Sequence, residues 1–375
     1  MAEYRLVATA AFGLESVVAR ELKALGYDNA LVENGRVVFS GTERDIARTN
    51  IWLRCADRVL IQMGRFPASD FEELFQGVRA IPWGGYISST GAVNVTGRSV
   101  RSTLTSIPAC QSVVKKAVIE SMKKRYRLES FSEDGPASGI EFSLQNNVAS
   151  VFMDTTGPGL HKRGYRTGTG QAALKETLAA GLVYLSRWRP GTPFVDPFCG
   201  SGTIAIEAAM IGRNVAPGMK RRFASEQWKF IGPEIWEDVR RHAGKEEKRA
   251  ALDIRASDID DSVLIKARHN ARHAGVVPSV TFERRDVKDL AFDTEKGIVV
   301  CNPPYGERSG DKEAAGELTK KMREAFDQAR GWSLFIFSGL EDFEKYYGKR
   351  ADSNRKLYNG RIKCYLYGYS AGDRR

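Results

Sequence analysis

The sequence lacks the features of zinc-stabilised, disulfide-bonded and membrane-spanning proteins. Its five cysteines include no Cys-x-x-Cys pair and its four histidines show no ligand spacing, which argues against a structural zinc site and favours a reducing cytoplasm. No apolar run approaches the roughly 20 residues of a membrane helix, and residues 1–5 lead into a strand pattern rather than a signal peptide. We therefore expect a cytoplasmic protein without a metal or a membrane partner.

Positive charge is concentrated in the second half of the chain. Of the formal net charge of +11, residues 1–160 contribute +1 and residues 161–375 contribute +10. The chain has 375 residues, of which 42% are hydrophobic, so it is long enough for two or three domains. A basic half suggests a polyanionic partner, although a solvated surface explains the charge equally well.

Residues 192–209 predict a buried strand, a tight turn and the start of a helix. An apolar run ends at Asp196, the turn contains Gly200 and Gly202, and an alanine-rich helical pattern begins near Thr203. Glycine has no Cβ, so backbone can approach a ligand closely there. The free N–H groups of the helix start point into the same crevice.

A dinucleotide site and a strand-turn-helix without any ligand are the alternatives for this stretch. Gly200-x-Gly202-x-x-Ala205 fits the dinucleotide fingerprint. However, the acidic residue expected about 20 positions after that fingerprint is missing, since the candidate Asp258 comes far later. Asp196 precedes Gly200 by four positions, where it could accept hydrogen bonds from the ammonium group of an amino acid.

A second apolar strand, residues 297–301, is followed by Asn302-Pro303-Pro304-Tyr305. The two prolines fix φ and hold the neighbouring carbonyls in one direction. An amide oxygen and a rigid carbonyl can together accept both hydrogens of one exocyclic amine, and Tyr305 offers a flat face for a base. The pattern favours a site for a planar substrate that carries an amino group.

With these two stretches the chain resembles the class I S-adenosylmethionine (SAM) methyltransferases that modify amino groups conjugated to rings or amides. The stretch from Asp196 to Gly202 resembles their cofactor loop, and Asn302-Pro303-Pro304-Tyr305 resembles their motif for the target nitrogen. The resemblance implies SAM as cofactor and these four residues as catalytic. The predicted cofactor-binding residues are Asp196, Pro197, Phe198, Gly200, Ser201, Gly202, Asp258, Ile259, Asp286 and Asn302.

The alternation of strands and helices after about residue 170 predicts a mostly parallel sheet with helices on both faces and an antiparallel terminal hairpin that turns at Asn359-Gly360. Asp196, Asp258, Asp286 and Asn302 would then converge from four strand ends on one crevice. There Asp258 could accept both ribose hydroxyls and Asp286 the adenine amine. Each Asp could instead be an ordinary acidic cap.

The first half of the chain predicts two smaller modules. Residues 1–66 show a β-α-β-α-β order, with one strand over 31–39, which is typical of an α+β ferredoxin-like module. Residues 67–155 resemble the THUMP domain, an RNA-binding module. The resemblance rests on residues 98–103 and on residues 110–116 with the basic helix that they begin. The RNA contact that it implies involves Arg98, Arg101, Lys115, Lys116, Lys123 and Lys124, and a plain solvated lysine face is the alternative.

Residues 156–375 form the predicted methyltransferase domain. It begins with a basic, glycine-rich linker over 156–171, in which Arg163 and Arg166 are further candidates for RNA contact, and a helix from Ala172 to Trp188 follows. An insertion over 213–253 interleaves cations with aromatic residues, which suits stacked bases as well as ordinary surface packing.

The whole chain resembles the bacterial THUMP-domain RNA guanine-N2 methyltransferases, including the extension of the target motif through Glu307-Arg308. The resemblance implies N2-methylation of guanine in structured RNA, with ribosomal RNA ahead of transfer RNA and both left open, and we infer no obligate protein partner. Adenine-N6 methylation of DNA, glutamine methylation of protein and a non-catalytic RNA-binding factor stay open as alternatives. Cys199 and Cys301 have no nearby His or other activator in the sequence, so we interpret both as structural.

Overall fold

The computed structural model describes residues 2–166, 174–306 and 311–371, and within them two seven-stranded sheets carry the architecture. Residues 167–171 of the predicted linker, the predicted helix start at Ala172, and Glu307-Arg308 lie outside the described residues. In the described part of the chain, no helix is long and apolar enough to cross a membrane.

The N-terminal module has one strand more than the sequence predicted. Its elements are β1 (Tyr4–Ala10), α1 (Glu15–Ala24), β2 (Leu31–Glu33), β3 (Arg36–Gly41), α2 (Glu43–Trp52) and β4 (Ala56–Pro67). The single strand predicted over 31–39 is wrong, because Glu33 pairs with Arg36 across a two-residue turn. That turn is Asn34-Gly35, with φ of +74° at Gly35, and Asn-Gly is the typical hairpin signal. The observed order is therefore β-α-β-β-α-β.

The second module continues the sheet of the first. Its elements are α3 (Phe71–Arg79), β5 (Gly91–Val100), α4 (Ile107–Tyr126), β6 (Gly135–Gln145) and β7 (Val148–Asp154). The sheet order is β2-β3-β1-β4-β7-β6-β5, so the long strand β4 pairs with β1 on one side and β7 on the other. The ferredoxin-like and THUMP-like parts thus share one sheet across the predicted boundary at 66/67.

The C-terminal domain forms the second sheet, and the predicted fold class is confirmed. Its elements are α5 (Glu176–Leu185), β8 (Phe194–Asp196), α6 (Thr203–Gly212), α7 (Pro233–Lys245), β9 (Ile254–Asp258), α8 (Asp261–Ala274), β10 (Thr281–Arg284), β11 (Gly297–Cys301), α9 (Asp311–Asp327), β12 (Trp332–Ser338), α10 (Phe343–Tyr347), β13 (Ser353–Asn359) and β14 (Ile362–Tyr369). The order is β10-β9-β8-β11-β12-β14-β13, parallel except at the terminal hairpin.

The strand order reverses between β8 and β11, because the chain first moves outward from β8 to β10 and then returns to the other side of β8. In open α/β sheets, ligands bind outside the carboxyl ends of the strands at such a switch point. The two stretches singled out in the sequence follow β8 and β11. The fold therefore brings them side by side at the position where a ligand crevice is expected.

Candidate functional site

A cavity of about 940 Å³ opens at the carboxyl ends of the central parallel strands. Predicted residues on its wall are Pro197, Phe198, Gly200, Ser201, Asp258, Ile259, Asp286, Asn302, Pro303, Pro304 and Tyr305. The structure therefore gathers most of the predicted cofactor and catalytic residues into one space. Leu174 and Thr203, near the starts of two predicted helices, also line it. Residues that the sequence did not indicate line it as well: Val263, Lys266, Arg285, Leu318 and Lys321.

The loop after β8 leaves room for a ligand at one of its two glycines. Gly200 has φ of +51°, and a Cβ built on it would meet no atom within 4 Å, so the space beside its backbone is open. Its N–H donates to Asp258 Oδ2 over 2.9 Å, which holds the loop against the end of β9. The predicted close approach of a ligand to backbone is geometrically possible at Gly200.

Gly202 has a packing role instead, because it lies outside the cavity wall. A Cβ on Gly202 would come within 3.1 Å of Ala267 Cβ and of the Phe282 ring. Its φ of +83° also disfavours other residues. Direct cofactor contact by Gly202 is therefore not what the structure shows. The glycine allows α6 to start close to its neighbours.

Asp196 is also behind the cavity wall rather than on it. The side chain is completely buried, and the following residues Pro197, Phe198 and Cys199 form the wall in its place. Asp196 Oδ1 accepts a hydrogen bond from Phe198 N–H over 3.3 Å, whereas Oδ2 has no partner among the described residues. Asp196 therefore lies behind the cavity wall, and its contact with an ammonium group stays a prediction.

Burial sets the protonation of Asp196. Loss of hydration, with a smaller contribution from the nearby Asp258 carboxylate, raises the pKa of Asp196 to about 8. A buried carboxyl avoids ionisation because the charged form loses its water. At neutral pH the Asp196 side chain is therefore largely a neutral acid.

Asp258 and Asp286 lie on the cavity wall as predicted. Besides Gly200 N–H, Asp258 accepts from Asp260 N–H over 3.1 Å through Oδ1, and Asp286 accepts from Lys288 N–H over 3.2 Å. A carboxylate has about four acceptor positions, so both side chains retain capacity for a ligand's donors. Between them, Ile259 exposes 61% of its surface and provides an apolar face at the cavity mouth.

The motif after β11 presents one unused acceptor. Asn302 Oδ1 is buried and has no hydrogen-bond partner among the residues that the structure describes. Buried acceptors in folded proteins are nearly always paired, with protein, water or ligand. Asn302 also lines the cavity, so an amine donor of a bound substrate would complete its hydrogen bonding.

Tyr305 is held in place by a residue that sequence reasoning missed. Its ring is only 8% exposed, and its hydroxyl accepts a hydrogen bond from Asn359 Nδ2 over 3.0 Å. The ring packs on Gly339, where a Cβ would come within 3.1 Å of it. Asn359 ends β13 at the hairpin turn, and in the sequence it signalled only that turn.

The predicted RNA contact of Arg163 is wrong. Its side chain is 2% exposed, and its Nε lies 3.3 Å from Glu207 Oε1. The guanidinium also donates to the carbonyls of Leu160, over 2.7 Å, and Arg54. A cation that is buried and fully engaged in this way cannot reach a phosphate.

Arg166 lies at the cavity rather than on an open surface. Its guanidinium donates to Thr203 Oγ1 over 2.7 Å and to the Leu174 carbonyl over 3.1 Å, and both of these residues line the cavity. Its Nε is 3.5 Å from Glu176 Oε1. The side chain thus connects the linker to the first turns of α5 and α6.

The basic residues of the THUMP-like module form an accessible face. Val114, Ala117, Val118 and Met122 bury one side of α4, and Lys116 and Lys124 are exposed on the other side. Lys115 and Lys123 are partly paired, with Glu133 at 2.9 Å and Glu120 at 3.8 Å. Arg98 and Arg101 are exposed at the end of β5. RNA contact by these six residues stays a prediction.

The cysteines are unsuited to nucleophilic work. Cys199 and Cys301 are buried, and burial raises the pKa of both thiols, so neither forms a thiolate near neutral pH. Among the described residues no group of His, Cys, Asp or Glu is arranged to hold a metal ion. Asn302 and its neighbours can position a substrate in the cavity and accept its hydrogen bonds.

Three family models match consecutive parts of the chain. Residues 163–368 match the family described as RMKL-like, methyltransferase domain. Residues 5–60 match the RlmL ferredoxin-like domain, and residues 68–154 match the THUMP domain.

Individual relatives cover nearly the whole chain. "Putative RNA methyltransferase YpsC" of Bacillus subtilis is 46% identical over 374 residues, which cover 98% of this chain and 96% of the relative. A solved structure described as "SMU.472, a putative methyltransferase complexed with SAH" is 43% identical, with a TM-score of 0.93 and complete coverage of both chains. Another, described as "a predicted N6-adenine-specific DNA methylase" from Listeria monocytogenes, is 44% identical, with a TM-score of 0.93 and coverage of 98% of this chain and 96% of that one.

Proposed function

The chain belongs to the RMKL-like methyltransferases that carry an RlmL ferredoxin-like domain and a THUMP domain, and on that premise we propose that it methylates the N2 amine of guanine in structured RNA with SAM as donor. The observation that carries the proposal is the unpaired Asn302 Oδ1 in a cavity at the switch point of the sheet. Ribosomal RNA is the proposed substrate class, ahead of transfer RNA.

The residues of the cavity fit SAM. The open space beside Gly200 accommodates a ligand against backbone, and Asp258 and Asp286 retain acceptor positions for ribose hydroxyls and for an adenine amine. The exposed Ile259 side chain suits an adenine ring. A structural relative that was crystallised with SAH supports the same ligand class. When bound, SAM supplies a methyl group on a sulfonium that an amine can attack.

Asn302 and Pro303 would prepare the amine. The lone pair of a guanine N2 is delocalised into the ring, which makes the amine a poor nucleophile. Asn302 Oδ1 accepts one amine hydrogen and the Pro303 carbonyl accepts the second, so the nitrogen is held pyramidal with its lone pair directed at the methyl group. In the transfer the C–N bond would form as the bond from sulfur to the methyl group breaks and S-adenosylhomocysteine leaves, and the surplus amine proton would then pass to water, so no strong general base is required.

Tyr305 would position the base. Tyr305 is fixed by Asn359 and by packing on Gly339, so its ring is a rigid surface for a base taken out of its stack. A rigid surface favours transfer because the orientation of the acceptor is settled before reaction. The shared Asn-Pro-Pro-Tyr motif would also serve an adenine or an amide, and the THUMP-like module is what favours RNA.

The test is the identity of the methylated product. Purified wild-type protein is incubated with labelled SAM and, separately, ribosomal RNA, transfer RNA, genomic DNA and total protein, and digests are analysed by mass spectrometry. We expect N2-methylguanosine in ribosomal RNA. N6-methyladenine in DNA or methylglutamine in protein as the main product would overturn the proposal, and so would SAM binding without transfer to any polymer.

The Asn302→Ala variant connects that product to the site. Removal of an orienting acceptor costs roughly 10²–10³ in rate, while SAM affinity, measured by titration calorimetry, should stay nearly unchanged because other loops hold the cofactor. Near-wild-type turnover of this variant would show that Asn302 does not hold the target amine.

A further inference from the structure

A second, smaller cavity of about 360 Å³ lies where three parts of the chain meet. Tyr4 comes from β1 of the ferredoxin-like module, Tyr86 and Arg125 come from the THUMP-like module, and Phe230 comes from the insertion in the methyltransferase domain. None of its lining residues belongs to the large cavity described above. The volume is sufficient for a single nucleobase.

The walls of this junction pocket are aromatic. The Phe230 ring centroid is 5.3 Å from that of Tyr86, with the rings at 88°, and 6.1 Å from that of Tyr4. Behind Phe230, the buried Trp228 ring stacks at 5.5 Å and 24°. Phe230, Tyr86 and Tyr4 are each partly exposed, so ring surface remains available to a planar ligand.

A cation and polar groups border the aromatic surface. Arg125 is exposed at the end of α4, and no acidic side chain pairs with it in the described part of the chain. Its stem packs on Gly84, where a Cβ would come within 2.3 Å of Arg125 Cγ, so the stem is fixed while the guanidinium reaches solvent. Tyr4 donates to Glu43 Oε1 over 3.0 Å, and Glu43 Oε2 is buried without a partner among the described residues.

Imperfect packing between three modules could also leave a gap, but such a gap would not require large rings at its surface. Aromatic rings beside an unpaired cation are the arrangement that binds unstacked bases of single-stranded nucleic acid. The residues Trp228, Lys229 and Phe230, which interleave cation and ring in the sequence, contribute to this pocket through Phe230.

We propose that the junction pocket binds one unstacked nucleobase of the RNA substrate, at a position in the RNA other than the methylated nucleotide. Tyr86 stacks on the base, the Phe230 ring, which lies at 88° to Tyr86, meets the edge of the base, and Arg125 contacts the adjoining phosphate. The inference rests on the proposed RNA substrate and adds a second point of recognition. Because three modules build the pocket, a base bound there fixes the RNA relative to all of them at once.

Photo-crosslinking of the wild-type protein tests the location directly. RNA that contains 4-thiouridine is bound to the full-length protein in the presence of saturating SAH, irradiated, and digested with trypsin for mass spectrometry. We expect adducts on the peptides Ala80–Arg98 and Phe230–Arg240. Adducts confined to other peptides would overturn the inference, while the proposed methylation would stand.

The Tyr86→Leu variant tests how much the contact between Tyr86 and the base contributes to RNA affinity. Phe71→Leu is the matched control, because Phe71 is an aromatic residue of the same module, is 42% exposed and does not line the pocket. Stacking contributes about 1–3 kcal/mol per base, so the Kd of Tyr86→Leu for a labelled 12-nucleotide single-stranded RNA should rise about 5- to 150-fold. Tyr86→Phe should restore binding, since it keeps the ring.

Three results would decide the matter for the variants. Equal RNA affinity of Tyr86→Leu and wild type would overturn the inference, and so would an equal loss in Phe71→Leu. SAM binding and melting temperature, measured in parallel, show that each variant is folded. If the wild-type protein itself binds no RNA while it still binds SAM, the RNA substrate is wrong and this inference falls with it.

Discussion

At the scale of single residues, the site depends on polar side chains that are buried, lack a hydrogen-bond partner, or are held by a residue distant in the sequence. Asn302 has an acceptor without a partner, Asp196 is a carboxyl sealed from water, and Tyr305 is fixed through Asn359. The unpaired oxygens of Asn302 and Asp196 cost stability that a fully hydrogen-bonded site would not lose. Such residues are concentrated where a ligand supplies the missing interaction.

The Asn359→Ala variant tests the fixation of Tyr305. Loss of the 3.0 Å hydrogen bond from Nδ2 removes one constraint on the Tyr305 side chain, so the ring samples more orientations and fewer bound bases are aligned for transfer. We expect kcat to fall about 10-fold, within the range for losing one positioning contact, with little change in KM for SAM. Asn354→Ala on the same strand, exposed and remote from Tyr305, is the control. Equal effects of the two substitutions would show that the hairpin acts only through stability.

Asp196 predicts a pH dependence of stability. Its folded-state pKa of about 8 lies above the ordinary value of 3.8, so between these pH values the folded state binds the proton and the unfolded state does not. The free energy of unfolding therefore falls as pH rises through this window, by at most about 1.4 kcal/mol per pH unit. Asp196→Asn removes the titration.

Thermal unfolding of the full-length protein at pH 5 and pH 8 measures this effect. The difference in melting temperature between the two pH values should be smaller in Asp196→Asn than in the wild-type protein. Asp134→Asn, at an exposed position, should retain the wild-type difference. If Asp196→Asn shows the same pH dependence as the wild type, then Asp196 is not protonated in the folded state.

At the scale of elements, a buried ion pair joins the linker to α6. Arg163 and Glu207 are 2% and 0% exposed, Tyr165 donates to the same carboxylate over 3.2 Å, and Arg163 donates to the Arg54 carbonyl at the end of α2. The linker, the first helix after the cofactor loop and the N-terminal module are thereby held together at one point.

Removing one partner of this ion pair should lower the free energy of unfolding far more than expected from the effect of removing both partners together. Arg163→Met or Glu207→Leu alone leaves an unpaired buried charge and should cost about 3–5 kcal/mol of unfolding free energy, whereas the double variant should lose much less than the sum. Urea unfolding of the four proteins measures the cycle. Lys320→Ala, which breaks the exposed pair with Glu317, should have little effect. Additive losses would contradict the coupling.

The sequence predicted the elements whose signals are local. The stretches around Gly200 and Asn302 could be assigned because strand, turn and side-chain chemistry occur within a few positions. Burial of a side chain could not be assigned in the same way. Arg163 lies in a basic, glycine-rich stretch that is typical of exposed linkers. Its side chain is buried because it pairs with Glu207, which lies 44 positions later in the chain.

Other features of the structure were not predicted from the sequence. The Asn34-Gly35 turn has a local sequence signal, whereas the remaining features depend on packing. The short helix α10 and the helix α7 in the insertion are stabilised by packing, with Trp236 of α7 stacked on Phe223 at 5.2 Å. Lys266 and Lys321 reach the cavity because α8 and α9 pack beside it, which no local pattern encodes.

At the scale of the whole molecule, the three modules form one packed unit. The first sheet runs without interruption from the ferredoxin-like part into the THUMP-like part, and one hydrophobic cluster extends from β1 to β14. Hydrogen bonds connect the first half of the chain to the catalytic domain. Arg54 donates to the Val215 carbonyl over 2.8 Å, and Ser225 donates to the Thr155 carbonyl over 2.7 Å. A contact made by RNA on the first half can therefore fix its position relative to the cavity.

The lysine face of α4 tests whether the first half selects the RNA. Asn302 and Tyr305 can hold only one base, which is too little to choose a site in a large RNA. A variant with Lys115, Lys116, Lys123 and Lys124 all changed to Glu should bind RNA more weakly, and its affinity should depend less steeply on salt, because each lost phosphate contact lowers the slope by about 1. SAM affinity should not change.

The control must separate a local contact from the change in overall charge. A second variant that carries Glu at the exposed Lys23, Lys245, Lys248 and Lys296 has the same net charge as the first, but these positions are scattered over other elements. If α4 is the docking face, only the first variant loses the phosphate contacts, and filter binding over a range of KCl concentrations will show a smaller slope for it alone. The basic catalytic half, at +10, could instead hold the RNA unaided. In that case the two variants would show equal slopes and equal rates of methylation, and α4 would have no part in selecting the substrate.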